Sequence, residues 1–364
     1  MVITVPRMGS TCLAAKALFE GLKIPFIIPE KNNKQTLQTG SLMSPEDICF
    51  PFKIMMGNYI ESIERGADTI VLTGSCGPCR FGEYCEMQMT LLKKAGIGAE
   101  IIVIDSPRSI GRAVLWNRIK RISSQSGLKK AEKLNALRKS VSILKLADEI
   151  NTKARWLAGY EINKGQCKSL LMECESRAYK CESPSATQSL LKSYSKKLDE
   201  IKTDSSRNPL KIALIGEIYS MIEPFSNLYI EDRLMDMGVS TTRMITPTWW
   251  IKDLVLKPFK LNSLEVRAAS KSYLPKNVGG HAKESVAHAL ISHAKKADGA
   301  IQIFPLGCMP EVVTKSILPA LSREKNFPVL SLVMDEITGD AGYATRIEAF
   351  LDMLEAKRKK GGLS

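Results

Sequence analysis

No stretch of this chain stays apolar for the roughly 18 residues that a membrane span requires. The opening run, MVITVPRMGSTCLAAKALFEGLK, breaks its apolar pattern with Arg7, Lys16, Glu20 and Lys23. It reads as strand, loop and helix and not as a secretion signal. The expectation is a cytoplasmic protein with no membrane attachment, in which thiols stay reduced. Histidine is scarce. His281, His288 and His293 show no metal-pair spacing such as H-E-x-x-H, and read as surface or core residues. A phosphate-binding G-x-x-x-x-G-K-[ST] is missing too, and Gly279-Gly280 does not replace it. The chain is therefore not expected to hydrolyse ATP alone. Aromatic residues make up 6%, and none interleave with the basic runs. The net charge of +14 would suit a nucleic-acid binder. Its excess is confined to residues 108–212 and the C-terminal KRKK, so it reads as a solvated basic helical face, with no nucleic-acid partner.

What remains is ample for folding. With 364 residues, 44% of them apolar, the chain can build two or more cored domains without disulfides. Up to residue 107 strand and helix signals alternate. VITVPR, IPFIIP, DTIVLTG and EIIVIDSP read as strands, with helices over TCLAAKALFEGLK, 51–65 and 84–94. Strands that are apolar throughout and separated by helices predict a parallel sheet covered on both faces. Residues 108–207 carry no strand signal and read as an inserted helical region, with a break near SPSATQS. From 208 to 364 the alternation resumes, with KIALIGEIY, VSTTRMI, GAIQIFP and PVLSLVMDE as strands and helices over 230–237, 282–296, 310–322 and 345–357. The expected fold class is therefore α/β, two parallel-sheet units joined by helices. The two also resemble each other. Gly66-Ala67-Asp68 leads through a strand into GSCGPC, and Lys296-Ala297-Asp298 leads through a strand into PLGCMPE. Ligand sites of open parallel sheets lie outside the carboxyl ends of the strands. Two such ends facing each other would make one shared site.

Nine cysteines, an odd number, point to metal or redox chemistry more than to bridges. Cys167, Cys174 and Cys181 recur every seven residues, which puts neighbours about 10.5 Å apart along a helix. That is too far to share a metal, so they read as small apolar groups on a packing stripe. The other six lie in loops or at helix starts near strand ends: Cys12, Cys49, Cys76, Cys79, Cys85 and Cys308. Helix starts favour thiolates. Zinc would pair two short clusters, and a second C-x2-C is absent. A redox C-x-x-C fits Cys76 and Cys79 loosely and leaves the other loop thiols over. C-x2-C-x5-C with scattered partners fits an iron–sulfur cluster best, with zinc and redox thiols as the alternatives.

VPRMGSTC, SPEDICFPFKIMMGNYIE, GSCGPCRFGEYC, IGEIY at 215–219, FPLGCMPE and ATRIEAFLDML together resemble the 2-hydroxyacyl-CoA dehydratase and benzoyl-CoA reductase superfamily. Within it, the likeness is to the double-cubane cluster protein branch. The resemblance covers both α/β units, and the helical region carries no motif of it. It implies two Rossmann-like domains, a homodimer, and an 8Fe–9S double cubane of two 4Fe–4S units bridged by sulfide. Each cubane takes three thiolates, so ligation carries over to Cys12, Cys49, Cys76, Cys79, Cys85 and Cys308. For Cys12, core filling is the alternative. A separate ATP-hydrolysing iron–sulfur activase would inject low-potential electrons, and the cluster would pass them to a small, hard-to-reduce substrate. A non-catalytic electron carrier or cluster-storage protein, or a dehydratase-type subunit, is the alternative function. Glu217, at a strand end, is a candidate proton donor, with capping of the next helix as the equal alternative. Lys53, Glu83 and Glu311 are candidates for bonds or protons to the cluster, although solvated loop charges are the favoured reading. The pair Trp249-Trp250 reads as core or dimer packing sooner than as a ligand platform.

Overall fold

A computed structural model of the chain describes residues 1–74, 84–105, 110–256 and 263–361. Its architecture is mixed α/β, with parallel sheets of three and four strands among many helices. Two compact units emerge. One comprises Met1–Asp148 with Cys174–Tyr194, the other Glu149–Glu173 with Ser195–Ser364, so the helices between 108 and 207 are shared out between them.

In the first unit the strands are β1 (Ile3–Thr4), β2 (Thr69–Thr73) and β3 (Glu100–Ile104), in the order β1-β2-β3 and all parallel. Helices α1 (Thr11–Leu22), α2 (Lys34–Leu42) and α3 (Phe50–Glu64) separate β1 from β2, and α4 (Tyr84–Lys94) precedes β3. Beyond β3 come α5 (Arg112–Ser124), α6 (Lys130–Leu157), α7 (Gln166–Tyr179) and α8 (Pro184–Asp199). The unit boundaries fall inside α6, α7 and α8. Ile3, Phe19, Leu22 and Ile24 form a buried cluster with Ala136, and Phe19 stacks on Phe26 with centroids 5.1 Å apart. Each such side chain contributes about 1.5–3 kcal/mol by leaving water.

The strand expected over IPFIIP is reduced to one parallel bridge, Ile3 to Phe26. Pro25 and Pro29 lack the N–H groups that a longer ladder requires. The bridge still fixes the spatial order. Strand one lies between the Phe26 segment and β2, so the direction of the sheet reverses between β1 and β2.

Two glycines set how α2 and α3 meet. A Cβ on Gly40 would stand 1.7 Å from the Lys53 carbonyl oxygen, and one on Gly57 would stand 1.8 Å from that of Thr36. The helices therefore touch backbone to backbone. Asn33 starts α2 with a capping box, its side chain accepting from the Gln35 and Thr36 N–H groups while Thr36 reaches back.

The second unit has β4 (Lys211–Gly216), β5 (Ser240–Arg243), β6 (Gly299–Pro305) and β7 (Val329–Met334), parallel and in the order β5-β4-β6-β7. All seven residues of β6 are buried, as a central parallel strand demands. Its helices are α9 (Ile218–Ile222), α10 (Ile230–Asp236), α11 (Pro247–Leu256), α12 (Leu264–Ser270), α13 (Ala282–Ala294), α14 (Met309–Glu324) and α15 (Asp340–Gly361). The strand expected over VSTTRMI covers only its first part, and the closing helix runs further at both ends than 345–357.

The repeated Ala-Asp pair has one structural use in both units. Asp68 accepts the Val2 N–H at 2.8 Å, while its own N–H donates to the Val2 carbonyl at 3.0 Å. Asp298 accepts the Lys211 N–H at 2.7 Å, and its own N–H donates to the Lys211 carbonyl at 2.8 Å. Each aspartate thus locks the start of its strand to the start of the neighbouring first strand.

Candidate functional site

In the first unit three candidate thiols lie at helix starts: Cys12 and Cys85 on helices that follow β1 and β2, and Cys49 on the helix that follows α2. Cys12 is the second residue of α1, fully buried, and its Sγ donates to the Pro6 carbonyl at 3.5 Å. Cys49 is the N-cap of α3 in extended conformation, with Pro51 in the first turn. Cys85 lies buried in the first turn of α4. Helix starts carry exposed N–H groups and the positive end of the dipole, which favour a thiolate over a thiol.

Tyr84 links two of these positions. Its hydroxyl contacts the Cys49 Sγ, and its ring meets Phe52 edge-on with centroids 4.9 Å apart. Cys85 is its neighbour in the chain. Tyr59 of α3 is fully buried nearby, and burial together with the charge of Cys85 raises its phenol well above the usual range. Gln88 is also fully buried, one turn beyond Cys85 on α4. Gly74, the residue after β2, lies against Asp105, whose carboxylate would stand 2.6 Å from a Cβ at that glycine.

Cys76, Cys79 and Glu83 lie outside the described residues. Among the described residues no three His, Cys, Asp or Glu side chains group to hold a metal ion. Tyr84, next to Cys85 in the chain, contacts Cys49, and Cys12 donates to the Pro6 carbonyl of its own loop.

In the second unit the sheet order reverses between β4 and β6, and the residues beyond those two strand ends flank the resulting crevice. Gly216 ends β4 at φ 139°, and a Cβ there would stand 1.9 Å from the Ile303 carbonyl oxygen. Only glycine lets the chain leave the sheet at that point. Glu217 follows as the N-cap of α9. Its Oε1 accepts the Tyr219 N–H, and its Oε2 accepts the Ser220 N–H and hydroxyl, each at 2.9 Å. Both oxygens serve the cap, and burial raises the carboxyl's pKa against the pull of those bonds.

After β6, Cys308 is the N-cap of α14, half-buried, with Pro310 in the first turn. Glu311 is one turn further and buried. Its Oε1 accepts from the Ser285 hydroxyl at 2.7 Å, and its Oε2 from the Gln302 amide at 2.8 Å. The Ser331 hydroxyl donates to Gln302 at 2.7 Å in turn. Burial pushes Glu311 up to about 8, with hydrogen bonds from Gln302 and Ser285 opposing it and the charge of Glu217 adding to it.

Two residues correct the reading of solvated loop charges. Glu311 is buried as described. Lys53 is buried within α3, where its Nζ donates to the Glu46 carbonyl at 3.0 Å. Their charge hid the fact that each lies on the inward face of its helix.

The remaining candidates are structural in their contacts. Cys167 and Cys174 are buried on α7, whereas Cys181 lies past its end and is half-buried. Glu161 accepts the Gly165 and Cys167 N–H groups at 2.6 Å each, and burial and that carboxylate raise the Cys167 thiol. His288 is buried, and burial lowers it to about 4, with His281 and Lys295 adding to the shift. Trp249 packs its ring at 6.0 Å from His288 and 6.5 Å from His281. No described helix is long and apolar enough to cross a membrane.

Comparison with known proteins adds no assignment: no protein-family model matches the chain, and no curated protein matches it.

Proposed function

We propose that the chain is the reductase component of a two-protein system, carrying a double-cubane iron–sulfur cluster on Cys12, Cys49, Cys76, Cys79, Cys85 and Cys308. On this reading each unit is a Rossmann-like domain and the protein is a cytoplasmic homodimer. The observation that carries it is the placement of Cys12, Cys49, Cys85 and Cys308, the four of these six that are described. Each lies at the start of a helix of eleven or more residues, where the positive end of the helix dipole favours a thiolate. Such sulfurs suit iron–sulfur ligation. The surroundings fit the same group, because the buried Tyr59 hydroxyl and Gln88 amide beside Cys85 have no hydrogen-bond partner among the described residues.

When bound, the cluster supplies a store of low-potential electrons. The chain's own residues would hold and shield it. Cys49, Cys85 and Cys308 present sulfur from pre-formed helix starts, while Phe52 and Tyr84 wall the Cys49 side against water. In the second unit Glu311 keeps its proton at neutral pH because burial disfavours the carboxylate, and Gln302 and Ser285 fix its orientation. Glu217, with both oxygens in a cap, is better suited to hold the β4 end in place than to deliver a proton. The electrons come from a separate ATP-hydrolysing activase, and the acceptor is a small molecule.

The test is iron and acid-labile sulfide per chain after anaerobic purification. About eight irons are expected, whereas about four would leave a single cubane and zinc without iron would overturn the reading. Reduction of small substrates should then require activase and ATP. Turnover without activase contradicts the two-protein division, and no turnover with it leaves an electron carrier.

A further inference from the structure

Tyr59 and Gln88 stand out because, among the described residues, nothing satisfies them. The Tyr59 hydroxyl and both polar atoms of the Gln88 amide are buried with no hydrogen-bond partner among the described residues. Both side chains are fully buried. Leaving a buried polar group unpaired costs roughly 1–3 kcal/mol, and native chains rarely tolerate it without a reason. Here two such residues share one neighbourhood. Gln88 follows Cys85 by three residues on α4, which puts them on the same helix face. Tyr59 lies close enough to Cys85 to sense its charge, and a phenol bears its proton at neutral pH. The Tyr59 O–H and the Gln88 N–H are donors that lack an acceptor, while the Gln88 Oε1 lacks a donor. Thiolate and sulfide sulfurs are acceptors.

We propose that Tyr59 and Gln88 donate hydrogen bonds to the sulfur atoms of the cluster at Cys85 and raise its reduction potential. This rests on the cluster reading given above. Reduction adds an electron whose charge spreads onto the sulfurs, so donors stabilise the reduced form more than the oxidised one. Removing either donor lowers the potential. Both act on the cluster directly through hydrogen bonds, and neither replaces a thiolate ligand.

The experiment compares the full chain with Tyr59→Phe, Gln88→Leu and the double variant, all purified anaerobically. Iron per chain, the midpoint potential from an EPR-monitored redox titration, and the Fe–S stretching bands in H2O and D2O are measured. The expected result is unchanged iron, a lower midpoint potential in each single variant, the lowest in the double, and a smaller D2O shift of the bands. Loaded variants with the wild-type potential and the wild-type D2O shift overturn this inference alone. A wild-type chain that holds no iron overturns the cluster reading and this inference with it. If one variant fails to fold, the other single variant decides the question by the same two readouts.

Discussion

Glu311 shows how one side chain can couple the sheet end to pH. Its ordinary pKa is 4.5, and in the folded chain burial pushes it to about 8. Below about pH 4.5 both folded and unfolded chains hold the proton, and the group costs nothing. As pH rises from there to about 8, the unfolded chain releases the proton while the folded chain keeps it, so stability falls. Above about 8 the full penalty is present, on the order of a few kcal/mol. Glu311→Gln keeps the shape and a hydrogen-bonding amide. Its melting temperature should match wild type near pH 4.5 and exceed it increasingly towards pH 8. Thermal unfolding across that range checks this, and a constant difference at every pH would assign the effect to packing. The sequence showed that Glu311 lies one turn after a cysteine. It could not show that the residue is buried, because the hydroxyl and amide that make burial tolerable, on Ser285 and Gln302, come from α13 and β6. Tyr59 is similar. IMMGNYI placed it on a helix, but its nearness to Cys85 depends on how α3 and α4 pack. Gln88 was more accessible, since the i to i+3 spacing from Cys85 is visible in the sequence.

At the scale of elements, the approach of α2 to α3 decides where the Cys49 end of α3 is held. Helical glycine normally loses roughly 1 kcal/mol against alanine, so Gly57→Ala looks stabilising on propensity alone. The tertiary contact reverses the sign, because the added Cβ would stand 1.8 Å from a backbone oxygen that no rotamer can move. Gly57→Ala should destabilise the chain by roughly 1–3 kcal/mol, measured by chemical denaturation. A stabilised variant would show that the two helices separate at little cost. Strands were the most legible elements, since β2, β3, β4, β6 and β7 are all short apolar runs with helices between them. The IPFIIP segment was read as a full strand on its apolar content, and its two prolines limited it to one bridge. Helix ends were less legible. The closing helix begins at Asp340, five residues before the apolar pattern of TRIEAF starts.

On the scale of the whole molecule, the net charge of +14 bears on partners and not on the fold. Helix α5 buries none of its residues, and Arg118 and Arg121 anchor it through the Val103 carbonyl and Glu100, leaving Arg112 and Lys120 at the surface. If such a basic face steers an acidic activase, the rate of activase-dependent reduction should fall several-fold between about 50 mM and about 300 mM salt. A salt-independent rate would remove charge steering from the account. What the sequence determined by itself is the local and periodic part: parallel α/β units, their internal likeness, and the reading of six cysteines in loops or at helix starts near strand ends. All of this follows from apolar run length, from turn residues and from spacing along one chain. Only the tertiary structure decided that Glu311 and Lys53 are buried, that Tyr59 and Gln88 lack partners among the described residues, and that the Ala-Asp pairs lock first strands to their neighbours. Each of these depends on what a second element brings to the contact, and burial belongs to a pair of surfaces, not to a residue.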